Sequence, residues 1–235
     1  MLSSRRFSTA FAEDDAPPRT LVEGAYLQLR RDIVEGRLQP GEKLRVEHLK
    51  DNYEVGAGTL REALALLLSD ALVVAEGQRG FRVAPISMAD LADLTRTRIL
   101  LETEALRRSI RHGDARWAAE LTAAFDDLTR IEDKLGNRAS PKVRKWETQN
   151  RNFHEALIAG YESPWLRYML GILYRQSERY RRIALISRTQ PRDVHAEHTE
   201  IYECAIERDA RRACAALEKH IRLTLEILQA PEETN

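Results

Sequence analysis

Cysteine is scarce in this sequence, and its scarcity bounds the fold first. Cys204 and Cys214 are the two cysteines among 235 residues. Both stand in amphipathic helical stretches, so reduced thiols of a cytosolic protein are expected and a disulfide framework is excluded. Long apolar runs are missing as well. None approaches the ~20 residues that a membrane-spanning helix needs, so no membrane partner is expected. Aromatics are 6% of the chain and glycines number 11, against 31% charged residues, a balance that favours helices over sheet. Charge of one sign is also lacking: 37 Lys and Arg offset 37 Asp and Glu. In bulk, nothing marks the basic footprint of a nucleic-acid protein, whose affinity comes from neutralising phosphates.

What is present is enough apolar residue, 43%, to give 235 residues two small domains with a core each. Residues 1–20 read as a disordered tail. Arg5, Arg6 and the serines of Met1–Phe11 have something of an organelle transit peptide, but Ala12–Pro18 is acidic and ends in Pro17-Pro18. The expected domains are then residues 21–85 and residues 86–231.

Val55–Arg82 organises the first domain. Thr59–Leu68 reads as a short helix with Leu60, Ala63, Leu64, Leu67 and Leu68 on one apolar face and Arg61 and Glu62 off it. Val55-Gly56-Ala57-Gly58 reads as a turn before it. After it come a short apolar run at Leu72–Ala75, a turn at Gly77-Gln78-Arg79-Gly80, and a second strand at Phe81–Val83. Upstream, Val46–Tyr53 supplies a partner helix and Gly24–Glu35 a supporting one, stopped by Gly36 to Gly41 with Pro40. Lys43-Leu44-Arg45 is extended. A helix pair followed by a hairpin with an arginine at its tip is a winged helix-turn-helix. Its second helix enters the major groove and its wing reaches the backbone or minor groove. The stretch itself is not basic: 21–85 holds nine Lys and Arg and ten Asp and Glu. DNA binding therefore requires Arg30, Arg31, Arg45, Arg61, Arg79 and Arg82 to share a face.

The order Ile33-x-x-Gly36-x-Leu38-x-Pro40-Gly41-x-x-Leu44, then Leu60-Arg61-Glu62-Ala63-Leu64-x-x-Leu67, resembles the DNA-binding domain of the GntR family of bacterial transcription regulators. The resemblance implies DNA contacts at Arg45, Gly56, Thr59, Arg61, Arg79 and Gly80. This chain has Gly56-Ala57 where the family often has Ser-Arg, which weakens base readout there. For Arg61 the alternative is a surface ion pair with Glu62 or Asp70.

No strand signal follows Val83. Helices are expected at about Met88–His112 (capped by Ser87 with Asp90, ended by Gly113), Ala115–Leu135 (capped by Asp114, ended by Gly136), Ser140 to Ala159, Ser163 to Ser187, Pro191 to Glu207, and Ala210–Leu228 (capped by Asp209). The fold class is thus mostly α: an N-terminal winged helix-turn-helix followed by an antiparallel all-α bundle of about six helices.

Three histidines in the bundle carry a possible chemistry. His154 lies four residues after Asn150, one helical turn away on the same face. His198 and His220 have twenty-one residues between them, a separation that lets two neighbouring antiparallel helices bring both rings to one point. Three imidazoles and an oxygen donor suit zinc, nickel or a similar ion. The bland reading is three ordinary surface or hydrogen-bonded histidines. His195, His48 and His112 read as solvated. Arg98 sits among Ile99, Leu100 and Leu101 on the inward side of its helix and needs an anionic partner, either Glu102 four residues on or a ligand carboxylate.

Arg98-x-x-Leu101-Glu102-x-x-Ala105 and the histidine set resemble the FCD ligand-binding domain of the FadR subfamily. That resemblance implies a divalent metal held by Asn150, His154, His198 and His220, and a small carboxylate effector reached by Arg98. Asn150 stands where the family has aspartate, a weaker and neutral ligand. The function implied is a cytoplasmic homodimeric transcription regulator, a repressor in the family's commoner mode. It binds double-stranded operator DNA at a short inverted repeat and answers an organic acid. A metal-dependent hydrolase using the three histidines is the alternative from another class, although no placed general base is found. A helical adaptor without ligand is the third.

Overall fold

The computed structural model describes residues 17–77, 80–132, 141–187 and 192–230. Among these, helix dominates, with one small three-stranded sheet. The chain divides into two compact units. The first runs to Asp90 and takes in Gly171–Arg182; the second holds Leu91–Leu170 and the chain from Ile183 onward.

The first unit begins with α1 (Leu21–Val34), whose N-cap is Thr20: its hydroxyl accepts from Glu23 N at 3.1 Å. The helix therefore starts three residues before Gly24, because a good capping side chain outweighs one interior glycine. β1 (Lys43–Leu44), α2 (Val46–Asn52), α3 (Ala57–Ser69), β2 (Val73–Ala75) and β3 (Phe81–Val83) follow. β3 is central in the sheet and antiparallel to both neighbours, with Arg82 opposite Lys43 on one side and Val74 on the other. Leu60, Ala63, Leu64 and Leu67 of α3 are fully buried against Leu29, Ile33, Leu44, Leu49, Leu72 and Val83. Each such leucine contributes roughly 1.5–3 kcal/mol by leaving water.

Two expectations about α3 need correction. Gly56 is its N-cap, with its carbonyl accepting from Leu60 N at 3.0 Å, so Ala57 and Gly58 form the first helical turn. Leu68 is 42% exposed and stands at the edge of the apolar stripe, beside exposed Leu66. In the hairpin, Glu76 N donates to Gly80 O at 2.9 Å, and Gly80 has φ +96°, a conformation that requires glycine. Gln78 and Arg79 lie outside the described residues, and so does the expected wing tip.

The six expected bundle helices are α4 (Met88–His112), α5 (Ala115–Glu132), α6 (Pro141–Ile158), α7 (Pro164–Ser187), α8 (Val194–Ile206) and α9 (Ala210–Gln229). Their caps follow from short polar side chains that satisfy orphan N–H groups. Ser87 accepts from Asp90 N (3.1 Å), Asp114 from Trp117 N (2.9 Å), Ser163 from Leu166 N (3.3 Å) and Asp209 from Arg212 N (3.0 Å). The start of α8 differs from expectation: Asp193 is the cap, accepting from Ala196 N at 2.9 Å. Pro191, Ser140, Leu135 and Gly136 fall outside the described residues. The middle of α7 is the segment that belongs to the first unit.

The second unit is packed around Leu106, Leu121, Leu128, Phe153, Leu157, Ile201 and Leu217. Gly160, just past α6, permits the close approach of that end to α4, while Gly113 makes room for the turn from α4 into α5. A Cβ on Gly113 would stand 2.6 Å from Ser109 O and 2.5 Å from the Trp117 ring, and one on Gly160 would stand 2.9 Å from Ser109 O. The pairing of these helices is thus fixed at one end. Glu102 on α4 and His154 on α6 then lie 3.5 Å apart.

No helix among the described residues is long and apolar enough to cross a membrane. Cys204 and Cys214 are both buried free thiols.

Candidate functional site

The three histidines singled out by their spacing converge in the second unit. His154 comes from α6, His198 from α8 and His220 from α9. One ligand atom from each lies within 4.8 Å of the others, and all three rings are buried. Ring centroids are 4.7 Å apart for His198 and His220, 5.2 Å for His154 and His220, and 5.9 Å for His154 and His198. Phe153, fully buried between its neighbours, meets the His154 and His198 rings edge-on and closes the cluster from one side. Asn150, one turn before His154, is also buried.

Behind each ring stands a glutamate. Glu132, at the end of α5, accepts from His198 Nδ1 at 2.8 Å. Glu197 of α8 accepts from His220 Nδ1 at 2.7 Å, and Arg192 grips Glu197 with two bonds of 2.8 and 2.6 Å while reaching His220 O at 3.0 Å. Glu102 of α4 lies 3.5 Å from His154 Nδ1. A carboxylate on Nδ1 fixes the tautomer, so that Nε2 presents its lone pair. Burial drives His154 down to about 4, against the pull of Glu102, and burial with the two neighbouring rings drives His220 well below the usual histidine value. At neutral pH both rings are therefore neutral, the form that ligates metal.

These residues fit a metal ion. His198 Nε2 and Asn150 Oδ1 are buried acceptors with no hydrogen-bond partner among the described residues, and an orphaned buried polar atom costs about 1–3 kcal/mol. A cation held among the three rings would satisfy the imidazole nitrogen.

Arg98 is buried, and its Nε donates to Glu102 Oε1 at 2.7 Å. Of the two partners open to it from the sequence, the internal one is present. Burial alone would raise the Glu102 carboxyl. The Arg98 guanidinium and His154 more than reverse that and hold it well below the usual carboxylate range. His195 is not simply solvated: its Nδ1 shares Glu132 at 3.0 Å and its ring stacks on Phe125. His48 and His112 are exposed, as expected. Sequence reasoning missed Glu132, Glu197 and Arg192; only Glu102, at four residues from Arg98, carried a visible signal. An open cavity of about 710 Å³ lined by Arg107, Arg108, Arg111 and Arg208 shares no residue with the cluster.

On the first unit, Arg45, Gly56 and Arg61 are exposed and Thr59 is half-buried, while Gly80 sits in the hairpin turn. Arg61 is paired with neither Glu62 nor Asp70; its charge is felt by the exposed Glu47. Two arginines leave the expected basic face. Arg30 is buried with its Nη2 on Glu178 at 2.7 Å, and Arg82 is tied to Glu76 at 2.8 and 3.1 Å. Nothing lies within 4 Å of a Cβ built on Gly56 or Gly58, so the backbone of the first turn of α3 is open to approach.

Comparison with known proteins covers the whole of this arrangement. Residues 21–83 match the family described as bacterial regulatory proteins, gntR family, and residues 93–223 match the FCD domain. The chain is 42% identical over 229 residues to the uncharacterized HTH-type transcriptional regulator BphR of Paraburkholderia xenovorans, covering 97% of this chain and 94% of the relative. It is 31% identical over 214 residues to the HTH-type transcriptional repressor GlaR of Escherichia coli, covering 89% and 96%. Among solved structures, E. coli McbR/YncC superposes with a TM-score of 0.69 at 20% identity, covering 89% of this chain and 97% of that one. At that identity the likeness is one of fold.

Proposed function

We infer that this chain, which belongs to the gntR family of bacterial regulatory proteins and carries an FCD domain, answers a small organic acid held in its FCD domain with a change in affinity for operator DNA. Relatives covering nine-tenths of the chain are transcription regulators, and the hydrolase alternative finds no support among them. The observation that carries the effector half of the reading is the convergence of three buried histidines in the FCD domain.

His154, His198 and His220, with the Asn150 amide oxygen, would hold one divalent ion, zinc or nickel by the softness of the donors. Such an ion, when bound, would supply a Lewis-acid anchor for an effector carboxylate. Glu132 and Glu197 orient the rings, and Arg98 offers a guanidinium fork suited to a carboxylate. Glu102 shields that buried charge when no effector is there. Because Asn150 is neutral, the site has one negative charge fewer than an aspartate would give, a deficit that an effector carboxylate would offset.

In the head, α3 is the helix that enters the major groove, with Gly56, Thr59 and Arg61 toward its N-terminal half. Arg45 stands at the foot of the helix pair, and Gly80 in the hairpin turn would approach the backbone or minor groove, a role that the family resemblance also gives Arg79. The working form is a homodimer on a short inverted repeat, since two-fold protein symmetry calls for two-fold DNA symmetry. It acts in the cytoplasm, where the DNA is, and as a repressor, in keeping with the repressor named among its relatives. The test is a gel shift with DNA from upstream of its own gene against a scrambled duplex of equal length. Preference for the upstream duplex supports the reading, and equal retardation of both defeats it.

A further inference from the structure

One aspartate in the first unit is held from three directions. Asp70 is the C-cap residue of α3. Its Oδ2 accepts from Tyr26 OH of α1, its Oδ1 from Arg175 Nη2 of α7 at 2.7 Å, and its backbone carbonyl from Gln176 Nε2 at 2.8 Å. Arg175 is buried, and burial, with the charge of Asp70 beside it, pushes the Tyr26 hydroxyl well up, so it stays a donor. The residue after Asp70 is strained: Ala71 takes φ +56°, where helices usually place glycine. That left-handed turn lets Ala71 N reach Leu68 O and Leu72 N reach Leu67 O, at 3.0 Å each, and sends the chain into β2. A conformation disfavoured for alanine persists only when its surroundings hold it.

The same stretch of α7 holds two more points of this unit. Glu178 takes Arg30 of α1 at 2.7 Å, and Arg179 Nη2 donates to Ala84 O at 2.6 Å, just past β3. Arg175, Gln176, Glu178 and Arg179 therefore grip the helix before the reading pair, the end of α3 and the exit of the wing. None of the four belongs to the residues 21–83 that match the gntR family.

We propose that Asp70 is the anchor of the DNA-reading helix, and that Arg175 and Gln176 are positioning residues for operator recognition: they set the orientation of α3 without touching DNA. The proposal rests on α3 being the helix that enters the groove.

Two full-length variants test it, each paired with the wild type: Asp70→Asn, which keeps shape and removes the charge, and Arg175→Lys, which keeps charge and removes the fork. The first measurement needs no DNA. Amide exchange at Asp70, Ala71 and Leu72 should quicken by about tenfold or more in Asp70→Asn, and less in Arg175→Lys, with the amides of α9 unchanged. The second is anisotropy with the upstream duplex and a scrambled one across a salt series. Affinity for the upstream duplex should fall by about tenfold in Asp70→Asn, with partial recovery in Arg175→Lys. The scrambled duplex and the salt slope should stay as in the wild type, since no phosphate contact is removed. Unchanged exchange at the three amides overturns the anchor. Equal loss on both duplexes overturns the positioning role, because the orientation of α3 would then carry no sequence preference. A wild type that treats the two duplexes alike defeats the regulator reading instead, while the exchange arm still decides the anchor.

Discussion

The histidine pocket and the outer face of α3 follow opposite plans. In the pocket the polar groups are buried or half-buried and most are answered in place: His198 by Glu132, His220 by Glu197, Glu197 by Arg192, Arg98 by Glu102. On α3 the polar face is exposed, and Arg61 is held by neither of the neighbouring carboxylates. A buried charge must be paired before its ligand arrives or it would unfold the site. An exposed one can wait in water at little cost, and surface pairs are worth little in any case. The difference teaches where mutations show themselves: in the pocket through stability and metal together, on α3 through DNA alone.

The sharpest break of that contrast is Glu102→Ala. It leaves Arg98 buried without its carboxylate and should cost about 3–5 kcal/mol. At roughly 2–4 °C per kcal/mol for a chain of this size, thermal melting of chelator-stripped protein should drop by several degrees or more. An unchanged melting temperature would mean that the pair does not stabilise the bundle.

Next in size is the metal. In zinc titrations of stripped protein, His198→Ala and His220→Ala should each bind far more weakly than wild type. Glu132→Gln, which removes only the carboxylate behind a ring, should lose ~10–100-fold. Wild-type zinc affinity in both histidine variants would make the cluster structural.

On the exposed side, Arg61→Ala should weaken binding to the upstream duplex by about 1–3 kcal/mol if it reads a base edge, while the melting temperature stays put. A fall in stability with no change on DNA would erase the distinction drawn between the two regions. The smallest effect expected is Asn150→Asp, which adds the charge the site lacks. Zinc should bind tighter and depend less on an added carboxylic acid; equal or weaker binding would count against Asn150 as a ligand.

Much of this was legible beforehand, for a physical reason. Helical spacing puts Asn150 and His154 on one face, and the His198–His220 separation suits two packed helices, but that the two pairs meet at one point was implied only by the resemblance to the FCD domain. The Arg98–Glu102 pair was legible too, being four residues apart. Glu132 was not: it meets His198 from 66 positions away, and along the chain it looks like any helix-end carboxylate. Glu197 adjoins His198 yet serves His220, a choice made by packing and not by sequence order. The grip of α7 on Asp70 spans 105 positions and was equally hidden. Composition misled on the basic face, because counting arginines does not reveal that Arg30 is buried on Glu178.

The central claim is that the pocket governs the head, and one measurement addresses it most directly. Affinity for the upstream duplex is followed by anisotropy while a panel of small carboxylic acids is added, once with zinc-loaded protein and once after chelation. The account predicts that at least one acid shifts the affinity of the loaded protein by about 5–150-fold, the usual range of allosteric coupling, and that chelation or Arg98→Ala abolishes the shift. An acid that shifts DNA affinity equally in loaded, stripped and Arg98→Ala protein would contradict it.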